Sequence, residues 1–511
     1  MDAASPTASE RSAASRWSGH ASPHELAQAL SLLLPLLPLD CRARAACVCR
    51  AWRAAAARPA LWEELSFVRC TAHVSNATLA ALCARAGAAL RTLSLEGDAC
   101  ARITADGVVL ALRDGGCTSL RRLSTPLGLE ELDRVSLTAE QAQQLAAACP
   151  RLTHAACTVC CDVLDVAAAL RALPGLLSLK CSSNSIDESL TQLATTLHVN
   201  TALKSLNLSS MSIFETGAMQ LAACLQVNTT LTSLDLYGND IRDAGARQLA
   251  ECLRGNATLT TLNLYGNGIG DAGATQLAES LRVNATLTHL DLSHSGIGDA
   301  GATQLAESLR VNATLTSLNL YGNGISAVGA TQLAECLRVN TALTTLILWR
   351  NNIGDVGAMQ LAECLRVNAT LTSLSLNDNN IRNVGATQLA ECLLVNATLT
   401  SLSLNDNNIR DAGAAQLAEC LRVNTTLTCL LLGGNAIGDA GATQLAECLR
   451  VNTALTSLNL HQNRIGDVGA TQLAECLRVN ATLRSLDVSS NNIGDESALR
   501  ATCPPHCTLS L

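Results

Sequence analysis

Aromatic residues make up only 2% of this chain, with four Trp, three Tyr and two Phe in 511 residues. A core cannot be built around rings at that density, so Leu, Ala, Ile and Val must fill it. Charge is also sparse, at 15% Asp, Glu, Lys and Arg, against 48% hydrophobic residues. That balance excludes a disordered chain. The 35 basic and 43 acidic side chains leave a net charge of -8. A nucleic-acid partner calls for a basic face, which is not expected here. No run of 18 or more apolar residues occurs, so no transmembrane helix and no membrane association are expected. The stretch Leu26 to Leu39 is apolar enough to suggest a secretory signal core, but Pro35 and Pro38 interrupt it. A phosphate-cradling glycine loop with its Lys is missing as well, since Tyr237-Gly238-Asn239 and Asn267-Gly268 belong to recurring loops. With no catalytic constellation, neither an enzyme nor a cofactor is expected.

What is present is a repeat. A leucine opens a 28-residue unit at Leu203, Leu231, Leu259, Leu287, Leu315, Leu343, Leu371, Leu399, Leu427, Leu455 and Leu483, without a slip. A period in this range means stacked supersecondary units. Within one unit, Leu231, Leu234 and Leu236 follow L-x-x-L-x-L, a short strand with one buried face. Asn239 and Ile241 continue inward, where the Asn can satisfy backbone groups left open at the strand end. Asp243 is placed to cap the helix that follows. Gly245 is expected to let helix and strand backbones approach. Ala246, Leu249, Cys252 and Leu253 share one helical face, with Arg247, Glu251 and Arg254 opposite. Strands stack about 4.8 Å apart, whereas helices need about 8–10 Å. The slab must therefore bow, with the parallel sheet inside and the helices outside.

The 23 cysteines suggest a disulfide scaffold until they are placed. Cys224, Cys252, Cys336, Cys364, Cys392, Cys420, Cys448 and Cys476 occupy one column, with Ser280 and Ser308 at two rungs. Neighbouring helices stand too far apart for a disulfide, which needs Cα atoms within about 7 Å. These are read as small buried thiols of a reducing compartment, cytoplasmic or nuclear. His154, Cys157, Cys160 and Cys161 have metal-like spacing, but they lie among irregular cysteine-bearing units, and no metal is expected. The sequon triplets, such as Asn256-Ala-Thr258 and Asn284-Ala-Thr286, place Asn at the end of each helix. There left-handed backbone would close the helix, so they are read as caps and not as glycan sites.

The 28-residue pattern resembles the leucine-rich repeat of the ribonuclease-inhibitor type, L-x-x-L-x-L-x-x-N-x-(I/L). Two rungs depart from it, with Met211 and Ser295 where Asn is expected. An earlier segment is similar to the cysteine-containing leucine-rich repeat common in F-box proteins. It carries Leu90, Leu93, Leu95, Cys100, Ile103-Thr104, Asp106-Gly107, Leu112, Cys117, Leu120 and Leu123, and Leu145, Cys149-Pro150 and Leu152 echo it. Ser22 to Phe67 resembles an F-box through Pro23, Glu25-Leu26, Leu30, Pro38, Asp40, Val48-Cys49-Arg50, Trp52 and Leu61-Trp62. It is about three residues longer than the family pattern between Leu30 and Pro38. The alternative for this segment is a plain helical cap on the first repeat.

The fold expected is α/β: a curved leucine-rich-repeat solenoid, with parallel inner sheet and outer helices, behind a small N-terminal all-α module. Residues 1–21 are expected to be disordered and 22–67 to form the F-box-like module. Irregular cysteine-containing repeats would span 75–175, and ribonuclease-inhibitor-type repeats 176–511, closed by a short capping strand after Cys503-Pro504-Pro505. The resemblance implies a substrate-recognition adaptor of a cullin–RING ubiquitin ligase. Pro23, Leu26, Leu30, Pro38, Val48, Cys49 and Trp52 would meet a Skp-type adaptor and, through it, the cullin. The other readings are a free-standing leucine-rich-repeat scaffold or inhibitor, a protein-binding module like the ribonuclease inhibitor or an immune sensor, and a modulator like the Ran GTPase-activating proteins, whose acidic tail this sequence does not carry.

Positions identical in every unit build the scaffold, so partner choice must lie in those that vary. All three tyrosines, Tyr237, Tyr265 and Tyr321, share one inner-face column. Ser293 interrupts it, Trp349 continues it, and His461 recurs later. Beside it run Asp235, Asn263, Asp291, Asn319 and Ile347, then Asn377-Asp378 and Asn405-Asp406, with His289, His294 and Arg350 adding polar variety. Large rigid aromatics are residue types that anchor interfaces. The candidate contacts for a protein substrate are Asp235, Tyr237, Tyr265, His289, Asp291, Tyr321, Trp349, Arg350, Asn377, Asp378, Asn405, Asp406 and His461. The competing explanations are duplication of one tyrosine without a binding role, and packing of each Tyr on the neighbouring rung's loop.

Overall fold

A computed structural model of the chain describes residues 62–67, 74–95, 100, 103–124, 136–156, 158–159, 170–180 and 189–511. The F-box-like contact residues from Pro23 to Trp52 and the possible metal ligands Cys157, Cys160 and Cys161 lie outside them. Two compact units emerge, Met1–Cys181 and Ser182–Leu511.

In the first unit, Glu64–Ser66, Thr92–Ser94, Arg122–Ser124 and His154–Ala156 form a four-stranded parallel sheet. Its central leucines, Leu65, Leu93 and Leu123, are buried, as are Cys83, Cys100, Cys117 and Cys149. The helices Asn76–Ala86, Ala105–Asp114 and Ala139–Ala148 are opened by side-chain caps from Ser75, Thr104 and Thr138. Thr138 and Gln141 complete a reciprocal capping box. Trp62 is buried, with the Arg85 guanidinium 4.9 Å from its ring centre.

The second unit is a curved leucine-rich-repeat slab. Strands from Ser205–Asn207 to Thr508–Ser510 follow chain order in one parallel sheet, alternating with helices. Register is set by the repeat: Leu234, Leu262, Leu290 and Leu318 pair as direct neighbours, 28 residues apart. The last strand, Thr508–Ser510, pairs on Ser485–Asp487 and closes the stack. Leu231, Leu234, Leu236, Ile241, Ala246, Leu249, Cys252 and Leu253 are all at most 2% exposed, so the core face read from spacing is the core face of the fold.

The Asn239 side chain bridges two rungs. Its Nδ2 donates to Leu208 O and Leu236 O, and its Oδ1 accepts from Met211 N and Ile213 N. The same pattern recurs at Asn267, Asn379, Asn407, Asn435 and Asn463. At the Ser295 rung the hydroxyl keeps the donor half, reaching Leu264 O and Ser293 O.

Three local readings change. The Asn at each helix end is not left-handed. Asn256 instead donates to Leu225 O of the preceding rung and accepts from Thr258 N and Leu259 N. It is 6% exposed, because its amide ties two rungs together. Gly245 clears a different path from the one expected. A Cβ there would fall 2.5 Å from Ile241 Cγ2 and 2.9 Å from Ala218 Cβ, so the close approach is to the neighbouring helix, not to a strand.

Asp243 does not cap its own helix. It lies inside Arg242–Leu253, and its Oδ1 accepts from Gly273 N, in the next rung's helix. Asp271, Asp299, Asp355, Asp411 and Asp439 act in the same forward direction, each accepting two backbone N–H groups of the following helix start. This sets loop conformation. Where the Asp is supplied, the residue before the next helix is extended: Gly298, Ser326, Arg382, Gly438 and Gly466 have φ between -107° and -96°. Where the preceding rung offers Glu215, Ala327 or Asn383 instead, Arg242, Gly354 and Arg410 turn left-handed, with φ of 54°, 60° and 58°. Their N–H groups then go to Asn267 O, Asn379 O and Asn435 O. Gly270 is the mixed case, left-handed at 64° although Asp243 reaches Gly273. Glycine adopts that φ without cost.

Candidate functional site: the aromatic rail on the inner face

Leu234 and Leu236 point into the core, so by strand alternation Ser233, Asp235 and the following Tyr237 belong to the opposite, open face of the sheet. Each rung therefore offers one side chain just past its strand on the concave side. Tyr237 and Tyr265 lie 4.8 Å apart between ring centres, Tyr265 and Tyr321 6.3 Å apart, and Tyr321 stacks on Trp349 at 4.5 Å.

The Ser293 rung does not break this column. The next residue, His294, takes a left-handed backbone, φ 48°. Its ring is inserted 5.1 Å from Tyr265 and 4.5 Å, edge-on, from Tyr321. Space for it comes from Gly322, where a Cβ would fall 2.5 Å from the imidazole. Five rings thus form one continuous rail, Tyr237–Tyr265–His294–Tyr321–Trp349. His294 was absent from the candidate contacts. The signal that could have found it was a ring one position beyond the serine at the one rung between Tyr237 and Trp349 that lacks an aromatic in the column. Offset and edge-to-face contacts of this kind contribute about 0.5–1.5 kcal/mol each. Tyr237 and Trp349, at the two ends, are 41% and 39% exposed. Burial, with Tyr321 and Tyr237 close by, pushes the Tyr265 phenol above its ordinary pKa.

The other candidates separate into two groups. Asp235 and Asp291 close strand ends: Asp235 accepts from Tyr237 N and Asn207 Nδ2, and Asp291 from Ser293 N, Ser293 Oγ and Asn319 Nδ2. Asn377 accepts from Asn405 N and the Ser403 hydroxyl, and Asn405 accepts from Gly433 N. These four spend polar atoms on the scaffold. Arg350, Asp378 and Asp406 are exposed at the end of the rail, each on left-handed backbone. His289 is exposed and in contact with Thr288 Oγ1. His461 is held on Asn459 Oδ1 over Gly433, four rungs past Trp349, and does not join the rail.

The cysteine column is inert. The described cysteines are free, and burial pushes Cys364, Cys392, Cys448 and Cys476 up to about 12. Among the described residues, no group of three or more His, Cys, Asp or Glu could hold a metal. No helix there is long and apolar enough to cross a membrane.

An open, ring-lined concave sheet of stacked leucine-rich rungs is the architecture of a repeat protein that presents an interaction surface. Comparison with known families agrees. Residues 23–68 match the F-box-like family, and six segments between 339 and 499 match the Leucine Rich repeat family. Residues 170–335 match the PRAME C-terminal domain. The chain is a leucine-rich-repeat protein with an N-terminal F-box-like segment. No curated protein matches it. Among solved structures it is similar to the leiomodin-1 actin-binding site 2, at 23% identity over 29% of this chain and 83% of that one, with a TM-score of 0.25. An internalin from Listeria monocytogenes matches at 22% identity, over 56% and 81%, with a TM-score of 0.34. The TLR13–ssRNA13 complex matches at 19% identity, over 81% and 61%, with a TM-score of 0.45.

Proposed function

We propose that this protein is the substrate-recognition subunit of a cullin–RING ubiquitin ligase of the SCF type. The F-box-like segment holds a Skp-type adaptor, and through it the cullin. The concave face of the repeats holds the protein to be modified. The observation that carries this reading is the order of modules: an F-box-like match at 23–68 ahead of a repeat array whose inner face is open. The Tyr237-to-Trp349 rail supplies the anchoring rings and Arg350, Asp378 and Asp406 the polar flank, in the pattern of an apolar centre and a charged rim. The ubiquitin chemistry belongs to the other subunits, and work in the cytoplasm or nucleus follows from this role.

The test is a binding assay between the full chain and a purified Skp-type adaptor, comparing wild type with Trp52→Ala and Val48→Asp. Capture by wild type, lost in both variants while the repeat helices keep their circular dichroism, is the expected result. Absence of capture, or capture indifferent to both changes, would replace the ligase reading with that of a free-standing scaffold.

A further inference from the structure

The rail has features that select one class of ligand. Its backbone is already consumed. Gly238 N donates to Tyr265 O, Gly266 N to Ser293 O, His294 N to Tyr321 O, Gly322 N to Trp349 O and Arg350 N to Asn377 O. An added strand would find no free ladder of donors, so β-augmentation is excluded along these rungs. A ligand must bind through side-chain surfaces with its backbone bonds met elsewhere, and a polyproline II segment does so as an extended chain whose backbone stays solvated.

The pitch agrees. Polyproline II repeats every three residues, about 9.3 Å, and two rungs of a parallel sheet span about 9.6 Å. A β-strand repeats every two residues, about 6.6 Å, and keeps step with neither one rung nor two. Aromatic-lined surfaces are a general docking mode for such segments.

Charge fixes one end. Past Trp349, the position after the ring column is occupied by Asp378 and then Asp406 on consecutive rungs, both exposed. Each stands on left-handed backbone, φ 48° and 57°, at a position where Gly238, Gly266, Gly322 and Gly434 stand in other rungs. His294 and Arg350 take the same left-handed turn at this position, which Asp tolerates better than most side chains, so what sets these two rungs apart is their exposed negative charge. Arg350, exposed on the rung before Asp378, leaves the negative charge of this end concentrated on the Asp378 and Asp406 rungs.

We propose that the inner face between Tyr237 and Asp406 binds a proline-rich polyproline II segment of a partner protein, with one or two basic residues seated on Asp378 and Asp406. The inference rests on the concave face being the partner site, and does not require the ligase assignment.

The six steps between the seven rungs from Tyr237 to Asp406 span about 29 Å, so the probe is an oligoproline of about nine residues carrying two terminal arginines and a fluorescent label. It is made with the arginines at either end, and measured by fluorescence anisotropy on the full chain. Saturable binding is expected in one orientation. It should fall about tenfold in Asp378→Asn/Asp406→Asn, and about tenfold in Tyr265→Ala and in Trp349→Ala. A terminal pair of glutamates should abolish it. No saturable binding in either orientation overturns the inference, as does equal binding by a Gly–Ser spacer bearing the same arginines, which would signal charge alone. Unaltered binding by the Asp variants also overturns it. Circular dichroism of each variant confirms the fold. Adaptor capture, measured separately through Trp52→Ala, reports on the ligase reading independently.

Discussion

Asp299→Ala tests the forward-capping arrangement most directly. The Asp299 carboxylate accepts from Ser326 N at 2.8 Å, Ser326 Oγ at 2.6 Å and Gly329 N at 2.8 Å. It thereby caps the helix Ala327–Leu337 from the rung before. Hydrogen bonds to a charged group contribute about 1.5–3 kcal/mol each. The site is only half-buried, so the released donors regain water, and a total loss of about 2–3 kcal/mol is expected, within reach of the strongest measured caps. Asp299→Asn keeps an acceptor but loses the charge at the helix N-terminus, and should cost about 1 kcal/mol. Partial burial acts against ionisation, yet the bonds from Ser326 and Gly329 outweigh it and hold the carboxyl below its ordinary pKa. The sign follows. A depressed folded pKa stabilises fully above the unfolded value, near 4, and that stabilisation is lost as pH falls through the folded value. The wild-type advantage over Asp299→Asn should therefore be constant at neutral pH and shrink below about pH 4. Repeat arrays open locally, so amide hydrogen exchange across Ala327–Leu337 is the assay. Equal protection of wild type and Asp299→Ala at pH 7 would refute the argument, as would a gap that persists undiminished at low pH.

Other consequences follow from the same geometry. Asn383→Asp should draw Arg410 out of left-handed backbone and cap Arg410–Leu421. The gain is about 1–2 kcal/mol after loss of the bond to Asn435 O, read as slower exchange in that helix. Cys364→Ser should cost little, because Cys364 Sγ already donates to Leu361 O as Ser280 and Ser308 donate to Leu277 O and Leu305 O; a thermal midpoint more than a few degrees lower would contradict this. Native protein at pH 8 should leave Cys364, Cys392 and Cys448 unmodified by a thiol reagent until denaturant is added, with mass spectrometry as the readout. Changing Tyr321 and Trp349 together to Ala should weaken partner capture while leaving the circular dichroism intact, and unchanged capture would remove the rail as an anchor.

How far the chain could be read in advance varies by residue. Leu234, Leu249 and Cys252 were legible because a side chain's burial in a periodic stack depends on its phase alone. Tyr237, Tyr265 and Tyr321 were legible as one column for the same reason. The role of Asp243 is not legible from its own helix, because its oxygen reaches the N-terminus of the next rung's helix at Gly273 N. Asn256 was misread because left-handed closure is a local habit, while the carbonyl it reaches lies 31 residues back. His294 was underweighted because its ring enters the rail only by a change of backbone conformation at one rung.

The amino-acid order alone determined the repeat length, the buried face, the register and the fold class, since each follows from an exact period acting through burial. Tertiary structure decided which polar atoms are spent between rungs and which stay available. It also decided that five rings close into one rail, and which loops turn left-handed. Those outcomes depend on distances between residues about one repeat apart, and such distances exist only once neighbouring rungs have stacked.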